Sequence, residues 1–188
     1  MDRVVSPIDP PTLLGEARRE LTQLPPILNA LLENLDDATA RTRPLPEEWA
    51  PVEIVCHLRD EETEDFSARL RTVLDGRTAF TPIDPVGWVE QRRYREADLR
   101  DALASFRERR AASLMWLGEI VPENLGRSVT HPAIGQLSGL DLLAAWVTHD
   151  RLHLAQLAAT LARLWSSRFI PLKAEYAGPI PYAPATVS

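Results

Sequence analysis

The chain is poor in several features that would point to whole classes of function. It has one cysteine, Cys56, so no internal disulfide can form, in keeping with a reducing compartment. It has no apolar run near the roughly 20 residues that a spanning helix needs, and MDRVVSPIDPP offers no apolar segment of the kind a secretory leader carries. A cytoplasmic protein without a membrane role is expected. Basic charge is also in deficit: 21 Lys and Arg stand against 27 Asp and Glu, a net charge of -6. Phosphate neutralisation needs a basic face, so no nucleic-acid partner is expected. The arginines at Arg92, Arg93 and Arg95 and at Arg107, Arg109 and Arg110 alternate with acids and read as solvated helix faces. Repeats and low-complexity tracts are absent, and no segment sustains the period-two alternation of a sheet core.

What remains is a chain of 188 residues, 45% apolar, enough for one packed unit. Residues 1–188 are read as a single domain of four long helices with Pro-rich joints. Asp9-Pro10-Pro11 supplies an N-cap followed by prolines where a missing N–H costs nothing, opening a helix over about 10–35. Pro25-Pro26 must kink or restart it. Pro51, with Glu53 in the first turn, opens a second helix over about 51–75, closed by Gly76. A short turn of helix is expected around Trp88. Leu99, Leu103, Phe106, Ala111, Leu114 and Leu117 mark an amphipathic helix over about 98–121, stopped by Pro122. Ser138-Gly139-Leu140-Asp141 resembles a capping box and opens a fourth helix over about 139–165. Short strands fit between Val129 and Leu137, and the tail over 166–188, with four prolines, is expected to be extended.

Two of the four histidines, His149 and His153, stand four apart in the most helical stretch, which puts them on one face. Leu142, Trp146, Gln156 and Thr160 share that face, so the pair looks into the core, while Arg151 and Ala155 point away. Imidazoles one turn apart can hold one ion at about 2.0–2.1 Å from each nitrogen. The third ligand has to come from elsewhere. His57, in the apolar segment VEIVCHL, is the candidate, although Asp60, Glu61 and Glu64 share one side of its helix wheel. His131, before Pro132, reads as a solvated or turn-stabilising residue.

Two segments carry a family resemblance. Pro46-Glu47-Glu48-Trp49-Ala50-Pro51-Val52-Glu53-Ile54-Val55-Cys56-His57-Leu58-Arg59-Asp60 resembles the Trp-Ser-x-x-Glu-x-x-x-His-Leu signature of the DinB-like family, which includes YfiT-like metal-dependent hydrolases and thiol S-transferases. Thr148-His149-Asp150-Arg151-Leu152-His153-Leu154-Ala155-Gln156-Leu157 is similar to its second signature, His-Asp-x-x-His-x-x-Gln. The likeness covers about residues 10–166. It implies an all-α four-helix bundle of up-down-down-up type in which His57, His149 and His153 bind one divalent zinc, nickel or iron ion. It also implies a low-mass thiol as a possible cosubstrate, and a homodimer. One departure is Ala50 in place of the family's Ser or Thr at the helix cap, a loss of about 1 kcal/mol.

Three His ligands leave a coordination position open for water or substrate. The expected function is therefore a metal-dependent transferase or hydrolase acting on a small electrophile or thiol conjugate, with a small-molecule substrate as partner. Glu61, one turn after His57, is the expected base or hydrogen-bond partner of a ligand, and Gln156 the second polar residue of the site. Asp150 reads as structural, and Trp49 and Trp146 as packing. Two alternatives stand beside this reading. One is a stress-linked metal-binding protein of the same fold without turnover. The other is a zincin-like peptidase using the spacing of HDRLH, with Asp150 as base and Glu175 as third ligand.

Overall fold

The computed structural model describes residues 9–131 and 133–180. Asp9 accepts the Thr12 N–H at 3.0 Å and caps α1, Pro10–Leu21. The chain then restarts as α2, Leu24–Leu32. Pro25 and Pro26 sit in the first turn of α2, where no intrahelical donor is missed. The expected interruption at Pro25-Pro26 is thus a restart, because neither proline can donate to the carbonyls four residues earlier. One of those carbonyls, Leu21, instead accepts from the Arg110 guanidinium at 2.8 Å. A single turn, α3, spans Asp37–Ala40.

The next helix, α4, covers Pro51–Glu61. Ala50 has no capping side chain, yet its N–H donates to Glu53 at 2.7 Å, and Glu53 is itself held by Arg43. Half of a capping box therefore survives the departure at Ala50. After Glu61 the helix widens into a π turn, Glu62–Phe66, before continuing as α5, Ser67–Leu74. The sequence carries no periodicity that announces this widening. Gly76, at φ 70°, closes the helix in the left-handed region.

α6 spans Pro85–Gln91 and contains the buried Trp88. α7 spans Leu99–Leu117, capped by Asp98, and ends at Gly118 rather than at Pro122, which opens a 3-10 turn. Its buried stripe includes Arg110 and Ser113, while Ala111, expected inside, is exposed. A two-stranded antiparallel hairpin follows, β1 (Ser128–His131) and β2 (Gly135–Ser138). It leads into α8, Gly139–Arg168. Ser138 and Asp141 form the expected capping box, with Asp141 accepting the Ser138 N–H at 2.8 Å. The tail is partly helical, with a 3-10 turn at Ala174–Ala177. The remainder of the expected extended tail, 181–188, lies outside the described residues.

The four-helix bundle consists of α1 with α2, α4 with α5, α7 and α8, packed around two apolar clusters. One holds Leu28, Ile54, Phe106 and Leu157, the other Leu21, Leu70, Leu117 and Trp146, all at 1% exposure or less. Truncating such a Leu to Ala typically removes about 2–5 kcal/mol.

Charge also enters the core. Arg110, 1% exposed, donates to Asp150 at 2.6 and 2.9 Å and to Glu62 at 2.9 Å. This corrects the reading of Arg110 as part of a solvated face, while Arg107 is exposed as expected. Arg109 and Arg92 also turn inward, to Asp60, which accepts a further hydrogen bond from Tyr94. Apolar periodicity cannot register positions at which a charge is buried against its counter-charge.

Candidate metal centre

α4 packs against α8, and that contact brings distant histidines together. His57, 5% exposed, places its Nε2 at 3.1 Å from His153 Nε2. His153 Nε2 stands 2.9 Å from His149 Nε2. One ring nitrogen from each of the three lies within 4.8 Å of the other two. Trp49 backs the cluster, its ring 4.8 Å from the His57 ring and parallel to that of His153. Phe66 packs at 4.8 Å from His149.

Glu61 completes the focus. Its Oε2 is 2.7 Å from His149 Nε2 and 3.5 Å from His57 Nε2. Of the acids on that side of the His57 helix wheel, Glu61 reaches the cluster, whereas Asp60 is engaged by Arg92, Arg109 and Tyr94 and Glu64 is exposed. Gln156 reaches the back of the cluster, its Oε1 accepting from His153 Nδ1 at 2.7 Å. His153 then carries its proton on Nδ1 and turns the Nε2 lone pair toward the other two histidines.

Burial governs the electrostatics. It pushes His57 down to about 2, His153 to about 3 and His149 to about 4, with the neighbouring imidazoles adding to the fall for His57 and His153. All three are neutral at pH 7, the form in which imidazole ligates. Burial also raises Glu61 to about 7, within the range that suits proton transfer near neutrality.

The donor set fits a divalent ion. Ligands about 2.0–2.1 Å from a tetrahedral centre stand roughly 3.3 Å apart, close to the 2.9 and 3.1 Å separations found. The His153 Nε2 lone pair faces two further nitrogens and can accept from only one of them, while His149 Nε2 also has the Glu61 carboxylate at 2.7 Å. A cation satisfies all three.

The cluster forms the floor of a cavity of about 850 Å³, bounded by α8, the segment around Ile83 and Val86, and the hairpin. On its wall Asp65 and Arg69 form an ion pair, and Arg69 also lies over the Phe80 ring. Burial raises the Asp65 carboxyl to about 6, against the pull of Arg69. Residues four and five after Glu61 both reach the cavity because a π turn brings i and i+5 into register. Sequence reasoning passed over Asp65 and Arg69, although the spacing of four from Glu61 to Asp65 to Arg69 was a signal.

The other expectations sort cleanly. His131 lies at the end of β1 and lines the cavity, its Nδ1 accepting the N–H groups of Ala133 and Ile134. It is a turn-stabilising residue outside the cluster. Asp150 is engaged by Arg110, and Glu175 is exposed in the tail, so the peptidase reading has neither its base nor its third ligand at the centre. Trp146 is packing, whereas Trp49 both packs and borders the cavity. Ala155, expected to point away, also lines the cavity.

YfiT from Bacillus subtilis, described as "a probable metal-dependent hydrolase with an unusual four-helix bundle topology", superimposes with a TM-score of 0.73 at 21% identity, covering 88% of this chain and 93% of that one. TT2238, described as a four-helix bundle protein, superimposes with a TM-score of 0.58 at 24% identity, covering 78% of this chain and 98% of that one. At these identities the likeness speaks to the fold. Among curated proteins none matches the sequence. Residues 20–157 match the DinB superfamily, and the chain belongs to that family.

Proposed function

We propose that this protein is a metal-dependent enzyme acting on a small electrophile, with one divalent zinc, nickel or iron ion held by His57, His149 and His153. The observation that carries the reading is the convergence of three neutral Nε2 atoms and the Glu61 carboxylate on one point at the floor of a large cavity. A metal ion bound there supplies Lewis acidity to an attacking nucleophile and to the group it attacks.

The chain's own residues supply the rest. Glu61 Oε2 accepts the proton of the attacking water and later hands it to the leaving group, so that one O–H and the scissile bond break while a new C–O bond and a protonated product form. Gln156 orients His153 by accepting from its Nδ1. Trp49 and Phe66, packed on the imidazoles, exclude bulk water and strengthen each polar contact at the floor. The likeness of fold to a protein described as a probable metal-dependent hydrolase favours water as the nucleophile. In a thiol transfer, Glu61 would take the S–H proton in the same way.

The test is turnover by protein stripped with chelator and reloaded with zinc, nickel or iron, scanned over small esters and amides and then over thiols with electrophiles. A metal-dependent rate that His153→Ala abolishes is expected. No rate above that variant with any ion would overturn the enzymatic reading in favour of a metal-binding protein without turnover.

A further inference from the structure

We infer that the substrate has an apolar body, an alkyl or aryl group several carbons long, with its single reactive polar group at one end; this rests on the metal-centre reading only for which end reaches the floor. The wall and rim of the cavity carry the inference. Val86 from α6, Ile134 from the hairpin and Leu152 from α8 all line it, yet they are 46%, 68% and 45% exposed. Three elements thus contribute exposed aliphatic side chains to one cavity, where isolated exposed aliphatics would be scattered. Deeper, Leu137, Leu142 and Ala159 continue the apolar wall.

Several polar atoms on the wall are already engaged within the chain. Thr148 donates to the Ala144 carbonyl at 2.8 Å, Gln156 accepts from His153, Arg69 is paired with Asp65, and His131 Nδ1 accepts two backbone N–H groups. Beside these contacts, a sugar-like substrate would set most of its hydroxyls against apolar side chains of the wall. A hydrocarbon chain breaks none of these contacts and removes the three rim side chains from water. The volume of about 850 Å³ lies in the range of pockets that enclose whole small molecules, roughly 300–1,000 Å³.

The probe is a series of linear alkyl hydroxamates from two to ten carbons, titrated calorimetrically into zinc-loaded and chelator-stripped protein, with gluconohydroxamate as the hydroxylated counterpart. Each added methylene is expected to tighten binding about three- to fourfold, the effect of burying one CH₂, until the cavity is filled. In the double variant Val86→Asp with Ile134→Asp, at exposed positions where folding is not at stake, the ratio of octanohydroxamate to acetohydroxamate affinity should fall at least tenfold. A flat series on zinc-loaded protein, or gluconohydroxamate binding more tightly than the octanoyl compound, overturns the inference. A persisting chain-length slope that does not depend on zinc upholds the apolar cavity and counts instead against the metal-centre reading.

Discussion

Arg110 on α7 clasps Asp150 on α8 through two hydrogen bonds of 2.6 and 2.9 Å in a site where both side chains are almost wholly buried. Asp150 directly follows His149, so this pair fixes the stretch of α8 that carries one of the three converging imidazoles. The same guanidinium reaches Glu62 and the Leu21 carbonyl freed by Pro25. One side chain on α7 thereby ties together α1, the π turn after α4, and α8.

Removing one member of a buried charge pair leaves the other uncompensated, at a cost of about 3–5 kcal/mol. Arg110→Met and Asp150→Asn are each expected to lower unfolding stability by that amount in urea titrations. The double variant should lose less than the sum of the two, since each single change already breaks the pair.

In the proposed centre, Gln156 would act on a bound metal through His153, whose Nδ1 it holds. Gln156→Ala should weaken zinc affinity about 10–100-fold, the usual effect of losing a hydrogen bond that orients a ligand, whereas Gln156→Glu, which keeps an acceptor, should retain most of it. Competition titration against a chromogenic chelator reads both. Equal affinity in Gln156→Ala and the parent protein would contradict the positioning role.

For Glu61 the expectation is a split between binding and turnover. Glu61→Gln keeps the shape and loses the base, so the bound metal should remain while kcat falls by about 10²–10⁴. A fall in metal content that matches the fall in rate would instead make Glu61 a ligand.

Asp60 supplies the pH dependence. Burial alone would raise its carboxyl, but hydrogen bonds from Arg59, Arg92 and Tyr94 outweigh it and hold the group down at about 2, against an ordinary 3.8. The unfolded chain therefore binds this proton more readily than the folded one, so the stabilisation is complete above about pH 4 and disappears as the pH falls through 2. It amounts to on the order of 2 kcal/mol. The stability gap between the parent protein and Asp60→Asn should narrow over that window in acid unfolding curves.

The legible and illegible parts of the chain differ in physical kind. His149 and His153 were readable because a spacing of four on an apolar face has one geometric meaning. The bundle was readable because caps and prolines punctuate it, down to the Ser138–Asp141 box. His57 was harder. Nearly every side chain of α4 from Pro51 to Glu61 is buried, so the helix wheel has no wet side on which to place Asp60 and Glu61; the apolar segment VEIVCHL made His57 the candidate, and the motif around Trp49 and His57 strengthened it. The π turn left no trace, since its extra residue is accommodated by tertiary contacts. Arg110 was misplaced for a related reason: a charge matched inside the core looks, in sequence, like one matched by water.

The most direct test is metal content. Protein purified without a His-tag, loaded with zinc and dialysed, should contain about one ion per chain by elemental analysis. His57→Ala, His149→Ala and His153→Ala should each fall well below that while keeping the helical circular dichroism spectrum. Full occupancy in His57→Ala would contradict the claim that histidines on α4 and α8 share one ion.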